Sequence, residues 1–294
     1  TLLGLSPLHA LSYEAKKPIK LTILHTNDIH SHIEAFSSGR YKGLGGMLQL
    51  SSLIKKIRQE EENILLLDAG DIFQGTPYFN LFGGELEFRL MSEIGYDAVT
   101  IGNHDFDNGI DGLSSKMHHA NFPFISSNYN FRNTILENKI IQHKVFNKGG
   151  IKVGILGIGI ELKGLVDPKL YENVQYLDPI SLANKKAMFL KKKIGCDFVI
   201  CLSHLGLQYD SNKISDIKLA TKTKNIDLII GGHTHSFLNE PVIVKNSLNK
   251  DVIISQAGFG AIKLGKIDFY FDKKMSNYVK INTSIDNNML DVYA

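Results

Sequence analysis

From Lys20 onward the chain repeats one pattern: a short apolar run, a turn rich in charged, amide or imidazole side chains, then a helical stretch. The runs are LTILHTND (21–28), NILLLDAGD (63–71), DAVTIGNHD (97–105), FPFISSN (122–128), IKVGILGIG (151–159), CDFVICLSH (196–204) and IDLIIGGHTH (226–235). Most are continuous rather than alternating, as in strands buried on both faces. Helices are predicted over 44–62, 83–95, 109–120, 179–194 and 213–224. Leu50, Leu53, Ile54 and Ile57 form one apolar face against Leu48, Ser52, Lys55 and Lys56. Asp178-Pro179 reads as an N-cap followed by proline at the first helical position. Strands alternating with helices predict a layered α/β fold. The last part differs: VIISQAG (252–258), AIKLGKIDFYFD (261–272) and YVKINTSI (278–285) have no helix between them and read as an antiparallel segment added to the sheet. With no repeat, low-complexity tract or linker, residues 19–294 read as one domain.

Composition closes off several classes. The 43% hydrophobic and 21% charged fractions exclude a mostly disordered chain. No apolar run reaches the roughly 18 residues of a membrane span. The net charge of +3 is too mild to imply a nucleic-acid duplex as partner. The basic run Lys191-Lys192-Lys193 falls at a predicted helix C-terminus, where cations are favoured. Cys196 and Cys201, five apart on one run, are expected on opposite strand faces as buried, unbridged thiols. The start, TLLGLSPLHALS, is apolar and rich in small residues and resembles the tail of a secretory signal peptide, so residues 1–18 are set apart from the fold and export is expected.

Metal-binding residue types gather at the strand ends. Asp28 and His30 follow the first run, Asp71 the second, and Asn103 with His104 the third. His204 ends a later run, and His233 and His235 follow the next. Open α/β sheets bind ligands at the carboxyl ends of their strands. Imidazole and carboxylate donors together suit borderline first-row cations such as Zn²⁺, Mn²⁺ or Fe. Asp28, His30, Asp71, Asn103, His204, His233 and His235 exceed the roughly four ligands of one tetrahedral site, but they fit two ions that share a carboxylate. Each fragment alone is weak: D-x-H is common, GNHD reads equally as a turn with a capping Asn, and GGHTH as a tight glycine turn. Order and placement together carry the signal.

The blocks DIH (28–30), GDIFQG (70–75), GNHDFDNG (102–109), SHLG (203–206) and GGHTH (231–235) resemble the calcineurin-like metallophosphoesterase superfamily. The wider strings LHTNDIHSH and YDAVTIGNHDFDNG resemble its 5′-nucleotidase branch, of the bacterial periplasmic 5′-nucleotidase/UDP-sugar hydrolase type. The likeness runs from about Ile19 to Asp272. It implies a layered sandwich of mixed β-sheets flanked by helices, with antiparallel strands at the C-terminus. It implies two divalent ions, Zn or Mn foremost and Fe, Mg or Ca as further options. Asp28, His30 and His235 would hold the first ion, Asn103, His204 and His233 the second, and Asp71 would bridge. His104, not a ligand, would stabilise the transition state or protonate the leaving oxygen, with Asp107 orienting it. A metal-bound hydroxide would attack a 5′-nucleotide or related phosphoester.

Cyclic-nucleotide phosphodiesterase and nucleotide-sugar pyrophosphatase are the enzyme alternatives, and a non-catalytic metal-binding subunit is the alternative of another class. The intact ligand set with His104 and Asp107 argues against the last. The branch also carries a C-terminal nucleotide-binding domain that this sequence does not contain. A truncated fragment, a natural single-domain enzyme and a separately encoded partner domain are the competing explanations, and a naturally short chain with such a partner is the expectation; the branch's habit suggests the periplasm. The remaining readings are local. Asp105 is expected to brace its loop, Gly43 to Gly46 to form a helix-start turn, and His25 to be a hydrogen-bonded core residue. His32 falls near the metal rim or in an exposed loop, and Phe73, Phe79 and Phe82 are expected to pack.

Overall fold

The computed structural model describes residues 17–274 and 277–293. The expected signal remnant therefore lies almost wholly outside the described residues. In chain order the strands are β1 (Ile19–Thr26), β2 (Ile64–Asp68), β3 (Ala98–Val99), β4 (Phe124–Ile125), β5 (Tyr129–Asn130), β6 (Ile140–Ile141), β7 (His143–Lys148) and β8 (Ile151–Ile158). They continue as β9 (Gln175–Tyr176), β10 (Phe198–Ser203), β11 (Leu228–Gly231), β12 (Val242–Lys245), β13 (Asp251–Ser255), β14 (Lys263–Lys274) and β15 (Asn277–Asp291). The α-helices are α1 (Met47–Glu60), α2 (Pro77–Phe82), α3 (Glu85–Ile94), α4 (Gly109–Lys116), α5 (Pro168–Tyr171), α6 (Pro179–Met188) and α7 (Asp216–Lys222). None of them is long and apolar enough to cross a membrane.

Two mixed sheets face each other. The first runs β15-β14-β1-β2-β3-β4-β6 and the second β12-β13-β11-β10-β8-β7, while β5 pairs with β9 apart from both. Strands β1 to β4 are parallel, as are β8, β10, β11 and β13. Leu21 and Ile23 of β1, Leu65 and Leu67 of β2, Phe198, Ile200 and Leu202 of β10, and Phe269 and Phe271 of β14 form one buried layer built from strands of both sheets. The alternate residues face helices. Leu24, Leu66 and Val99 pack with α1, α3 and α4 residues such as Leu50, Phe88 and Leu113, and Val199 and Ile229 pack with Ala183, Ala187 and Leu219 of α6 and α7. Both strand faces are thus dry, which explains the continuous apolar runs.

The element ends follow local chemistry. Gly46, at φ 87°, opens α1 as the expected glycine turn, and the Asp178 side chain caps α6 through Ser181 N at 2.7 Å. Helix α6 then continues through a wider π turn over 189–194, which ends at Gly195 in left-handed backbone. Two expectations are corrected. Segment 252–258 does not join the antiparallel C-terminal strands: β13 runs parallel to β11 in the second sheet, and only β14 and β15 extend the first sheet, β14 antiparallel to β1 and β15 antiparallel to β14. Cys196 precedes β10 instead of sharing its register, and it packs in the same outer layer as Cys201; both thiols are free.

One ionic cluster ties the C-terminal end of α1 to strands β1 and β14 of the first sheet. Lys20 Nζ lies 2.6 Å from Glu61 and 2.9 Å from Asp268, and Lys266 Nζ lies 3.1 and 2.7 Å from the same two carboxylates. Thr22 Oγ1 donates to Asp268 at 2.6 Å. Burial would raise the Asp268 carboxyl, but Lys266, Thr22 and Lys20 hold it below the ordinary range, and Lys20 and Lys266 do the same for Glu61. Carboxylates lowered in the folded state contribute stability above their unfolded values and lose it as pH falls through the folded ones. Asp268→Asn should therefore lower the urea-derived unfolding free energy at pH 7 by about 1–3 kcal/mol. That deficit should shrink below about pH 4, where the wild type loses the same pairs. A deficit that does not change with pH would contradict the cluster's role.

Candidate metal centre

The turns after β1, β2, β3, β10 and β11 converge at one end of the sandwich and carry the seven predicted ligands. Five of them, Asp28 (φ 51°), His30 (50°), Asp71 (57°), His233 (74°) and His235 (50°), hold left-handed backbone that non-glycine residues adopt at a cost. Bonds between loops hold them there. Asp28 N donates to Gly70 O at 2.9 Å, His30 N to Asp71 O at 3.1 Å, and Gly260 N to Asp28 O at 2.8 Å. His233 N donates to both Asp28 carboxylate oxygens at 3.0 Å. Two glycines are required by close approach: a Cβ on Gly102 would stand 2.1 Å from Asp71 Oδ1, and one on Gly232 would stand 2.9 Å from His204 Nδ1.

The ligand atoms fall into two adjoining groups. Asp28, His30 and His235 form one, and Asp71, His204 and His233 the other; within each, one donor atom per residue lies within 4.8 Å of the others. Asn103 Oδ1 lies 2.8 Å from His233 Nδ1 and so borders the second group. Asp71 Oδ2 lies 3.0 Å from His204 Nε2 and 4.0 Å from His30 Nε2, between the groups. The structure thus brings all seven predicted residues together.

Their protonation fits cations. His30 Nδ1 faces the carbonyls of Phe73 and Gln74 at 3.2 and 3.1 Å, which makes Nδ1 the donor and leaves Nε2 a lone pair, 3.0 Å from His235 Nε2. His204 Nδ1 donates to Ala69 O at 2.7 Å, which turns its buried Nε2 toward Asp71 Oδ2 at 3.0 Å. Burial lowers His30, and burial with His204 lowers His233 to about 4, so both rings are neutral as metal ligands must be. Burial opposes charge on Asp71 and His204 alike, yet their approach prevails: Asp71 pushes His204 up to about 10, and His204 holds Asp71 well below the usual carboxylate range. A divalent ion between the groups would offer the carboxylates the compensation that this proton supplies. The lone pair on His30 Nε2, the buried carboxylates and the absence of cysteine among the donors fit two borderline divalent cations.

His104 stands beside the groups, not within either. Its ring centroid is 5.3 Å from that of His30, its N donates to Asp71 Oδ1 at 2.7 Å, and its Nδ1 lies 2.7 Å from Asp107 Oδ2. The Asp107 bond raises its pKa above the ordinary histidine value. The His104 and His235 side chains are 38% and 41% exposed, so the site is open to a ligand from solvent. A positioned imidazolium beside a cation pair can donate a proton to a leaving oxygen.

Asp105 braces the loops, as its sequence position suggested. Its Oδ2 accepts from Asp71 N at 3.1 Å and Gly102 N at 2.8 Å, and its Oδ1 from Ile72 N at 2.9 Å and Phe73 N at 3.3 Å. Burial and the Asp71 charge push its carboxyl up to about 7 against those donors. His25 is a core residue bonded to Ser255 Oγ at 3.1 Å, and His32 stacks on Phe36 at the rim. Phe73 and Phe79 pack in the core, whereas Phe82 is exposed. Sequence reasoning missed the supports of the Asp28 and His233 loops. Asn27 Nδ2 donates to Asp28 Oδ2 at 2.7 Å and to Gly258 O at 2.6 Å, and Gln256 Nε2 joins Asp216 Oδ2 at 2.9 Å to Gly232 O at 3.1 Å. Gln256 follows a strand and carried no signal of its own; its partners are distant in sequence.

The family model described as calcineurin-like phosphoesterase matches residues 21–237. A snake venom 5′-nucleotidase from Gloydius brevicauda is 36% identical over 89% of this chain and 47% of its own length. A 5′-nucleotidase from Vibrio cholerae is 32% identical over 96% of this chain and 54% of its own. The crystal structure of a 5′-nucleotidase precursor from Thermus thermophilus superposes with a TM-score of 0.81 at 32% identity, over 94% of this chain and 55% of that one. The chain spans about half the length of the curated relatives it matches.

The bracing by Asp105 is testable without any ligand. In Asp105→Asn one side of the group becomes an NH₂ that faces two backbone N–H donors, so one acceptor oxygen and its two hydrogen bonds are lost despite the unchanged shape. Urea unfolding should show a loss of about 2–4 kcal/mol. A change below about 0.5 kcal/mol, the scale of an ordinary surface substitution, would contradict the assignment.

Proposed function

This chain belongs to the calcineurin-like phosphoesterase family, and we propose that it is a dinuclear metal-dependent hydrolase that releases phosphate from 5′-nucleotides or related phosphoesters. A phosphoester hydrolase follows from the family; the nucleotide substrate and the residue roles are the proposal. The observation that carries it is the carboxylate of Asp71 within 3.0 Å of His204 Nε2 and 4.0 Å of His30 Nε2, facing both candidate ligand groups, with His104 and Asp107 alongside. In this reading Asp28, His30 and His235 would hold one ion, Asn103, His204 and His233 the other, and Asp71 would serve both. Zn or Mn suits these donors.

Two bound divalent ions supply Lewis acidity toward the phosphoryl group and activate a water. The residues of the chain do the rest. Phe73 O, Gln74 O and Ala69 O fix the rings of His30 and His204 and set which nitrogen is presented. His104 carries a proton on Nε2, stabilised by Asp107 at Nδ1, and delivers it to the oxygen that leaves with the nucleoside. Recognition of that nucleoside is proposed to come from a further domain, such as a separately encoded partner; what supports this is the half-length match to the 5′-nucleotidases. Export, with a periplasmic location, belongs to the same reading and rests on the apolar run at 1–12.

The test is phosphate release from 5′-AMP and from bis-p-nitrophenyl phosphate, with Mn²⁺ or Zn²⁺ and after chelation. The expected result is metal-dependent release from 5′-AMP that stops on chelation. Turnover of the diester alone would overturn the nucleotidase reading, and turnover that survives chelation and apo preparation would overturn the metal centre. His104→Ala should lower kcat by about 10²–10⁴-fold with both ions retained. Asp71→Ala should weaken both ions, and a full complement at wild-type affinity would remove its bridging role.

A further inference from the structure

Helix α3 buries Phe88, Met91 and Ile94, and on the same side it buries Glu87 completely. An acid in an apolar layer is costly unless it is bonded. Glu87 Oε1 accepts from Ser31 Oγ, whereas Oε2 has no partner among the described residues. The reading of the metal centre uses neither residue. Burial pushes the Glu87 carboxyl up, against the pull of the Ser31 bond.

Ser31 directly follows His30, and the two are consecutive left-handed residues at φ 58° and 50°. Such backbone persists only where its surroundings over-determine it. All three polar groups of Ser31 are committed: its N donates to Ile72 O at 2.9 Å, its O accepts from Thr76 Oγ1 at 2.7 Å, and its Oγ donates to Glu87. Helix α3 reaches His30 by a second route. Gly84 at its start lies so close to Phe73 that a Cβ would stand 2.2 Å from the ring, and Phe88 packs on that ring at 4.8 Å. The carbonyl of Phe73 is one of the two that orient His30 Nδ1.

We propose that Glu87 is a positioning residue for the first ion: by holding Ser31 it fixes His30 in the backbone conformation that aims its imidazole at Asp28 and His235. The inference rests on the dinuclear reading above. Of the two ion sites it concerns only the one His30 serves, because His204 and His233 are held by Ala69 O and Asp28 instead.

The experiment is titration of the full chain, stripped of metal, with Mn²⁺, followed by calorimetry and by metal content after gel filtration. Thermal unfolding of each apo variant is recorded in parallel. Wild type should take up two ions. Glu87→Ala should weaken one of the two by about 10–100-fold and leave the other within about twofold. Glu87→Gln, which keeps an oxygen for Ser31 Oγ, should recover wild-type affinity within about threefold. Ser31→Ala should reproduce Glu87→Ala, and the double variant should be no worse than either. A merely structural role would lower the melting temperature without separating the two affinities, and that result overturns the proposal. So does wild-type affinity at both sites in Glu87→Ala or, should that variant not fold, in Ser31→Ala. Fewer than two ions on wild type would instead contradict the dinuclear reading itself.

Discussion

Seven polar side chains aimed at one small space lose their water, and left-handed backbone at five of them adds strain of roughly 1–3 kcal/mol per residue. The site exists because loops from both sheets clamp one another. His233 N rests on the Asp28 carboxylate, Asp28 N on Gly70 O, and Asp105 gathers four N–H groups from the loops after β2 and β3. No ligand-bearing turn has its conformation from its own sequence alone; each borrows it from the next.

The sandwich makes this clamping possible. The parallel strands of both sheets deliver their carboxyl ends to the same side, and the side chains between the sheets are large, apolar and dry. A rigid layer of this kind fixes the spacing of the loop ends, so donors from β1, β2 and β3 meet donors from β10 and β11 without a flexible linker. The supporting shell is polar and buried: Asn27, Asp68, Asp105, Asp216 and Gln256 are each at most 3% exposed. Such networks stabilise only when their members are bonded, which makes the isolated second oxygen of Glu87 stand out.

What the sequence revealed and what it hid have physical reasons. The ligand residues were legible because metal chemistry allows few side-chain types and the strand ends spaced them in order. The buried parallel strands were legible because both faces are apolar. Strands β7 and β12 were missed: HKVFNK and VIVK are edge strands whose side chains are half exposed, so they lack a continuous apolar signature. The placement of β13 was misread because its residues suit either sheet, and the choice is made by register with β11, a strand distant in sequence. Helix 213–224 shrank to α7 because Ser215 caps it at Lys218 N and the chain turns extended at Thr223. The orienting carbonyls of Ala69, Phe73 and Gln74 had no sequence signal at all, since every residue carries one.

The central claim is that Asp71 stands between two cations. Anomalous diffraction at the manganese edge, from crystals of the full chain grown with Mn²⁺, tests it directly. The account predicts two peaks about 3.5–4 Å apart, one among Asp28, His30 and His235, the other among Asn103, His204 and His233, with a carboxylate oxygen of Asp71 on both. A single peak, or two peaks with Asp71 bound to neither, would contradict it.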